Sequence, residues 1–248
     1  MSDEFYVGYL DTPPGIARLL RVVVAGLLLG GALVSLGAVT GQAPFPAARF
    51  DFGDVRTFEG TLVAGPHPVL MVDRPGEAAG RSPYLLVGPG KFGAGEHTAG
   101  LTGQQVSVQG TLIYRGDQTM LEILPDSLAA IGPGDDSGGD IVAYGEQTLL
   151  GEIVDSKCFL GVMNPGNLKP HRACATRCIS GGIPPLLLVR LADGTSRQLL
   201  LVGPQGEAIN GDVLEYVAEP VQVTGRVERS RDMWLLRADP ASIQRAQL

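Results

Sequence analysis

Leu86-Val-Gly-Pro89 recurs later in the chain as Leu201-Val-Gly-Pro204, and Val106-Ser-Val-Gln-Gly110 recurs as Val221-Gln-Val-Thr-Gly225. Both repeats have the same offset of 115 residues, and four further pairs of single residues match at that offset. These pairs are Asp117 with Asp232, Leu121 with Leu236, Pro125 with Pro240, and Ser127 with Ser242. A constant offset over roughly forty residues requires equal loop lengths, so the pattern predicts an internal duplication.

Each copy contains five short runs that are typical of β-strands and are separated by turn residues. They are 58–63, 69–72, 84–87, 105–114 and 119–123 in copy one, and 149–154, 186–191, 197–202, 221–228 and 233–237 in copy two. Gly110 and Gly225 interrupt the fourth run, where a glycine often marks a bend or bulge. Five strands with a bent fourth strand favour a small OB-like Greek-key barrel. The competing architecture is another small β-sandwich.

The N-terminal part contains an apolar run at 22–39, in which Ser35 is the only polar residue. Its length lies at the lower end of what crosses a bilayer as a helix. Arg18 and Arg21 precede the run, so the positive-inside rule places the N-terminus in the cytoplasm and the bulk of the chain outside. A cleaved signal peptide is the alternative, but the run exceeds the usual apolar core of such a peptide.

The apolar run also contains Gly26-Leu-Leu-Leu-Gly30, a spacing of small residues that lets another membrane helix approach closely. The face of Gly26 and Gly30 is therefore the predicted contact with a membrane-protein partner. The net charge of −7 argues against nucleic acid as a partner, because an acidic surface repels phosphate.

The predicted fold class is mainly β, with one N-terminal transmembrane helix followed by two tandem OB-like five-stranded barrels. The predicted segments are a cytoplasmic N-terminus at 1–21, a transmembrane anchor at 22–41 and a linker at 42–56. OB-like domain 1 follows at 57–131, then a Gly/Asp-rich linker at 132–146, and OB-like domain 2 at 147–248 with a Cys/His insertion at 155–182.

The insertion at 155–182, called the Cys/His loop below, has no counterpart in copy one and contains every cysteine of the chain. Its pattern is C-x12-H-x2-C-x3-C, formed by Cys158, His171, Cys174 and Cys178. A helix beginning near Pro170 would place the last three on one face. Three thiolates and one imidazole are a complete ligand set for zinc or another thiophilic metal.

Two further readings of the same residues stay open. An exported domain with three cysteines often forms one disulfide, here Cys158 with Cys174 or with Cys178. A redox-active thiol pair is the other reading. In the metal reading, Asp155 is expected to support the site, since a ligating histidine commonly donates its other N–H to a carboxylate.

Gly151-Glu-Ile-Val-Asp155-Ser-Lys-Cys158 and His171-Arg-Ala-Cys174-Ala-Thr-Arg-Cys178, followed by Gly181-Gly182, resemble an uncharacterised OB-like domain of secreted bacterial proteins. The resemblance covers residues 147–200. It implies a bacterial envelope location and a small β-barrel, and it implies no activity.

These features predict a protein of the bacterial inner membrane with periplasmic barrels and no catalytic residues. The predicted role is that of an accessory subunit of a membrane complex, with a redox complex as the first candidate, which carries a Cys3His metal or cofactor site. A thiol–disulfide redox protein and a scaffold stapled by one disulfide are the alternatives. No hydrolase triad or nucleotide-binding motif is present in the sequence. His67 and His97 lie in loops of copy one, and they are expected to face solvent.

Overall fold

The computed structural model describes residues 8, 11–41, 48–63, 65–74, 80–135 and 141–246. The chain divides into two compact units, Met1–Phe45 and Pro46–Leu248. In the first unit, helix α1 (Pro14–Thr40) is a continuous helix of 27 residues. It is the one helix among the described residues that is long and apolar enough to cross a membrane. The helix begins before the apolar run and includes Arg18 and Arg21.

The second unit is built from strands and two short helices. Before the Cys/His loop these are β1 (Ala48–Phe50), β2 (Arg56–Val63), β3 (Val69–Asp73), β4 (Arg81–Val87), α2 (Gly95–Thr98), β5 (Gln104–Arg115), β6 (Gln118–Ile123), β7 (Ala129–Pro133) and β8 (Val142–Asp155). From the loop onward they are α3 (Arg172–Ser180), β9 (Pro185–Arg190), β10 (Ser196–Val202), β11 (Pro220–Ser230), β12 (Met233–Ala238) and β13 (Gln244–Arg245).

The first barrel closes through the strand order β5-β2-β3-β4-β6, with β6 returning to pair with β5. All neighbours are antiparallel except β4 and β6, which are parallel. The second barrel repeats this arrangement as β11-β8-β9-β10-β12, with β10 and β12 parallel and β12 returning to β11. The predicted fold of two five-stranded barrels is therefore confirmed, and each predicted strand is present.

The fourth strand of each barrel carries the predicted glycine at a point of close approach to the closing strand. Gly110 pairs with Arg56 of β2 and with Ile123 of β6, so it lies where β5 passes from one neighbour to the other. A Cβ atom at Gly110 would lie 2.5 Å from the carbonyl oxygen of Glu122, and one at Gly225 would lie 2.4 Å from that of Arg237. Both copies therefore need glycine at this position because the closing strand approaches too closely for a side chain.

Three short strands were not predicted. β1 lies within the expected linker 42–56 and pairs with β5, and β7 runs into the expected linker 132–146 and also pairs with β5. β13 pairs with β11. β8 begins at Val142, so it also occupies the last part of the expected linker 132–146. Residues 136–140 of this linker lie outside the described part of the chain.

Apolar side chains form three separate clusters in this unit. One fills the first barrel around Leu70 and Leu86, and a second fills the second barrel around Leu187 and Leu201. The third joins residues of both barrels and includes Cys158 and Cys178. The two barrels therefore share a hydrophobic interface, and the Cys/His loop contributes to it.

Candidate metal centre

The Cys/His loop leaves the second barrel at the end of β8 and returns through α3. Asp155 is the last residue of β8, and Cys158 begins a short helical turn just after it. His171 ends a 3-10 turn that runs directly into α3, which carries Cys174 and Cys178. The expected helix near Pro170 therefore forms as a 3-10 turn followed by an α-helix, and it brings the loop back to the end of β8.

The structure places the five residues of the predicted site in two overlapping groups of three that share Cys158. The ligand atoms of Cys158, His171 and Cys174 lie within 4.8 Å of one another, and so do those of Asp155, Cys158 and Cys178. Cys174 is half-buried, and the other four are buried. All three cysteines are free thiols.

The spacing of two of the sulfurs is compatible with a metal site. The Sγ atoms of Cys158 and Cys174 are 4.0 Å apart. Two sulfurs bound to one tetrahedral zinc at bonds of about 2.3 Å would be separated by about 3.8 Å, whereas a disulfide requires about 2.05 Å. The observed separation therefore fits an edge of a metal tetrahedron with little rearrangement.

Asp155 is held in place by two hydrogen bonds. Its Oδ1 accepts from the backbone N–H of Cys158 at 2.8 Å, and its Oδ2 lies 3.0 Å from Nε2 of His171. The side chain of Asp155 has no exposed surface. A carboxylate in this position fixes the ring orientation of a histidine and strengthens it as a ligand.

The sulfurs are also linked by hydrogen bonds that set their protonation. A hydrogen bond with Cys158 and the nearby Lys91 ammonium lower the pKa of Cys178 to about 7, although burial opposes this. The same hydrogen bond, together with burial, raises the pKa of Cys158. These shifts favour the thiolate form at Cys178 over the thiolate form at Cys158. A thiolate is the form that binds metal ions and attacks disulfides.

The first barrel contributes a residue that the sequence reasoning did not identify. Lys91 lies in the loop after β4, and its Nζ donates to Sγ of Cys174 at 2.8 Å and to Sγ of Cys178 at 3.5 Å. The hydrogen bond to Cys174 raises the pKa of Lys91. Copy one therefore contributes to the site, because it places a positive charge beside two of the sulfurs.

Lys157 ties the loop to the first barrel. Its Nζ donates to the carbonyl oxygens of Gly88 at 2.9 Å and Gly90 at 2.7 Å, and it forms an ion pair with Glu122. The side chain is buried. These contacts hold the segment that leads to Lys91.

One sequence signal for these contacts was available. The chain has three lysines, and all three lie in the Cys/His loop or against it: Lys91, Lys157 and Lys169. Every other basic side chain, apart from the histidines, is an arginine. Lysine at only these positions marks them as unusual, although it does not reveal which atoms they contact.

His67, expected to face solvent, is buried instead, with 4% of its surface exposed. Pro66 and Pro68 flank it, and strand β3 begins at Val69, two residues after it. His97 is half-buried. Neither histidine belongs to the Cys/His cluster.

Comparison with known proteins does not place the chain in a family. No protein-family model matches the chain, and no curated protein matches it. The resemblance of residues 147–200 to a secreted bacterial domain therefore stays a prediction.

Proposed function

We propose that the chain is a membrane-anchored protein whose second barrel holds one thiophilic metal ion, with zinc as the first candidate. The ligands are Cys158, His171, Cys174 and Cys178, and Asp155 orients His171. The single observation that carries this proposal is the grouping of the ligand atoms of Cys158, His171 and Cys174 within 4.8 Å of one another, next to the overlapping group of Asp155, Cys158 and Cys178. Four protein ligands would fill a tetrahedral shell, which is the arrangement of structural rather than catalytic zinc.

The charge of the site supports a cation. Asp155 and the Cys178 thiolate place negative charge in a buried region, and Lys91 compensates for part of it. A divalent cation bound to the cysteines would displace the remaining thiol protons and offset two of the three thiolate charges. Lys91 would then reduce the excess negative charge that three thiolates bring to one metal ion.

The location belongs to the same proposal. Helix α1 is the anchor, and Arg18 and Arg21 at its start favour a cytoplasmic N-terminus with both barrels in the periplasm. Gly26 and Gly30 form the helix face for a partner in the membrane. The protein then acts as a non-enzymatic accessory subunit of a membrane complex, with a redox complex as the first candidate.

A second candidate is a thiol–disulfide redox function, and one contact favours it. The Lys91 ammonium lies 2.8 Å from Sγ of Cys174, and a nearby cation is a common means of stabilising a reactive thiolate. Cys158 is the neighbouring thiol that would close the disulfide. In this function the pair would cycle between thiols and disulfide and would bind metal weakly.

Zinc affinity of the full-length protein, measured by competition with a chromophoric chelator, tests the proposal. We expect Cys158→Ser to abolish tight binding and Asp155→Asn to weaken it about 10- to 100-fold. Ser180→Ala is the matched control, because Ser180 is exposed on the same helix and bonds only within it. Wild-type affinity no better than that of Cys158→Ser would reject the metal site. A reversible disulfide between Cys158 and Cys174 would then favour the second candidate.

A further inference from the structure

A cleft of about 700 Å³ lies between the two barrels, and none of the five residues of the metal centre lines it. The first barrel contributes Pro66, His67 and Phe92 to its lining, and the second contributes Gly181, Gly182 and Asn210. We call it the inter-barrel cleft. Its volume is in the range that holds a small organic ligand.

Asn210 lines this cleft and carries a buried acceptor that the described residues leave unused. Its Nδ2 donates to the carbonyl oxygens of Ile179 at 2.8 Å and Ile183 at 2.9 Å. Both amide hydrogens are thereby used, and rotating the amide would set its oxygen against two carbonyl oxygens. The Oδ1 atom is therefore fixed in place, and it is buried without a hydrogen-bond partner among the described residues.

His67 presents a second unused polar atom. The residue is 4% exposed, and its Nε2 finds no hydrogen-bond partner within the described part of the chain. Burial also lowers the pKa of His67 to about 4, so the ring is neutral at physiological pH. Leaving a buried polar atom unpaired costs about 1–3 kcal/mol, and two such atoms on residues that line one cleft favour a ligand that pairs with them.

The rest of the lining limits the chemistry of the ligand. Phe92 is exposed at the cleft, and four prolines of the first barrel line it as well: Pro66, Pro68, Pro89 and Pro125. Flat apolar surfaces of this kind suit the faces of an aromatic ring. No lysine or arginine of the described residues lines the cleft, whereas Glu96 does, so an anionic ligand would lack a counter-charge.

We propose that the inter-barrel cleft binds a neutral aromatic ligand bearing hydroxyl groups, a phenol in the simplest case. One hydroxyl donates to Oδ1 of Asn210, a polar group of the ligand pairs with Nε2 of His67, and the ring lies against Phe92 and the prolines. The site does not depend on the metal centre, since none of the five metal-site residues lines the cleft.

Ligand-detected NMR on the full-length protein in lipid nanodiscs tests this site, with empty nanodiscs subtracted. The probe is resorcinol, and 1,3-dimethoxybenzene has the same ring without a hydroxyl donor. We expect resorcinol to bind at least about tenfold more tightly, because one hydrogen bond to a buried acceptor is worth about that factor. Equal binding of the two probes would overturn the role of Asn210. Tighter binding of benzylamine would overturn the neutral class, and no binding of resorcinol would overturn the site.

Two variants test the residues. His67→Phe removes Nε2 and fills a similar volume, and we expect it to weaken resorcinol binding about tenfold without lowering the melting temperature at pH 7.5. Phe92→Ala should weaken binding severalfold, whereas Phe52→Ala, another exposed phenylalanine outside the cleft, should leave it unchanged. Unchanged binding in Phe92→Ala would contradict the proposal, and this variant carries the test if His67→Phe does not fold.

Discussion

Among single residues, Asp155 and His67 show two ways of burying a polar side chain. Both oxygens of Asp155 have partners, one on the backbone of Cys158 and one on His171. His67 leaves Nε2 unpaired within the described residues. A paired carboxylate positions its neighbours, while an unpaired imidazole reduces stability. Asp155 therefore fixes the orientation of His171, and His67 lines the inter-barrel cleft with Nε2 unpaired among the described residues.

The burial of His67 predicts how stability changes with pH. Burial lowers its pKa to about 4, whereas the unfolded chain titrates near 6.5. Between pH 6.5 and 4 the unfolded state binds a proton at His67 that the folded state does not. The free energy of unfolding therefore does not depend on the protonation of His67 above pH 6.5, and it decreases as the pH falls from 6.5 to 4. We expect His67→Phe to recover about 2 kcal/mol of the loss at pH 5.

Denaturant unfolding of wild-type protein and His67→Phe at pH 7.5 and pH 5 measures this effect. The comparison at pH 7.5 is the internal control, since the titration of His67 contributes almost nothing there. An equal loss of stability in both proteins on going to pH 5 would show that His67 is not the group responsible.

The sequence predicted the donors of the site better than their surroundings. Cys158, His171, Cys174 and Cys178 share a loop of one copy, so their spacing was enough to group them. Lys91 lies 83 residues before Cys174, and only the packing of one barrel against the other brings the two together. The burial of His67 likewise depends on contacts distant in sequence.

At the scale of elements, the Cys/His loop joins the barrels as well as carrying the cysteines. Lys157 reaches into the first barrel, and the N–H of Gly93 donates to the carbonyl oxygen of Gly181 at 2.9 Å. A Cβ atom at Gly181 would lie 2.0 Å from the carbonyl oxygen of Lys91. Gly181 must therefore be a glycine, because the backbone at the end of α3 contacts the backbone of the first barrel there.

Replacing Lys157 tests this junction. Lys157→Met keeps much of the apolar stem and leaves Glu122 and two carbonyl oxygens without their ammonium partner. We expect a loss of about 2–3 kcal/mol in the free energy of unfolding, because removing one member of a buried ion pair leaves the other uncompensated. Lys169→Met is the matched control at an exposed position of the same loop, and it should change stability by less than about 0.5 kcal/mol. Similar losses in both variants would contradict the role of Lys157.

The strands of the barrels were predictable because the two copies have matching sequence patterns. Each predicted run either alternates apolar and polar residues or ends at turn residues. β1, β7 and β13 were missed because they have two to five residues each. Their pairing is set by the free edges of β5 and β11 rather than by their own composition. β3 is also five residues long but contains the apolar run Val69–Val72, whereas these strands carry too little pattern to be distinguished from a linker.

At the scale of the whole molecule, the duplication produced two barrels with different contributions to one site. The second barrel keeps the cysteines, and the first supplies Lys91 and the partners of Lys157. A shared apolar cluster holds the barrels together. The duplicated fold was predictable from the repeat, whereas the way the two barrels pack was not, because no residue pattern records which surfaces meet.

Topology is tested by reporters joined after Leu248. A reporter that is active only in the periplasm should be active there, because Arg18 and Arg21 favour retention of the N-terminus in the cytoplasm. The control is a reporter that works only in the cytoplasm, fused at the same position, and it should be inactive. The reverse pattern of activity would place the barrels in the cytoplasm and contradict the proposed location.

The most direct test of the metal centre combines metal analysis and thiol counting on the same sample of full-length protein, purified without chelator or oxidant. We expect one metal ion per chain and, after denaturation with chelator, titration of all three cysteines. Cys158→Ser should lose the metal, and Ser180→Ala should retain it. A wild-type sample with no metal and one titratable thiol would contradict the account, because two cysteines would then be joined in a disulfide.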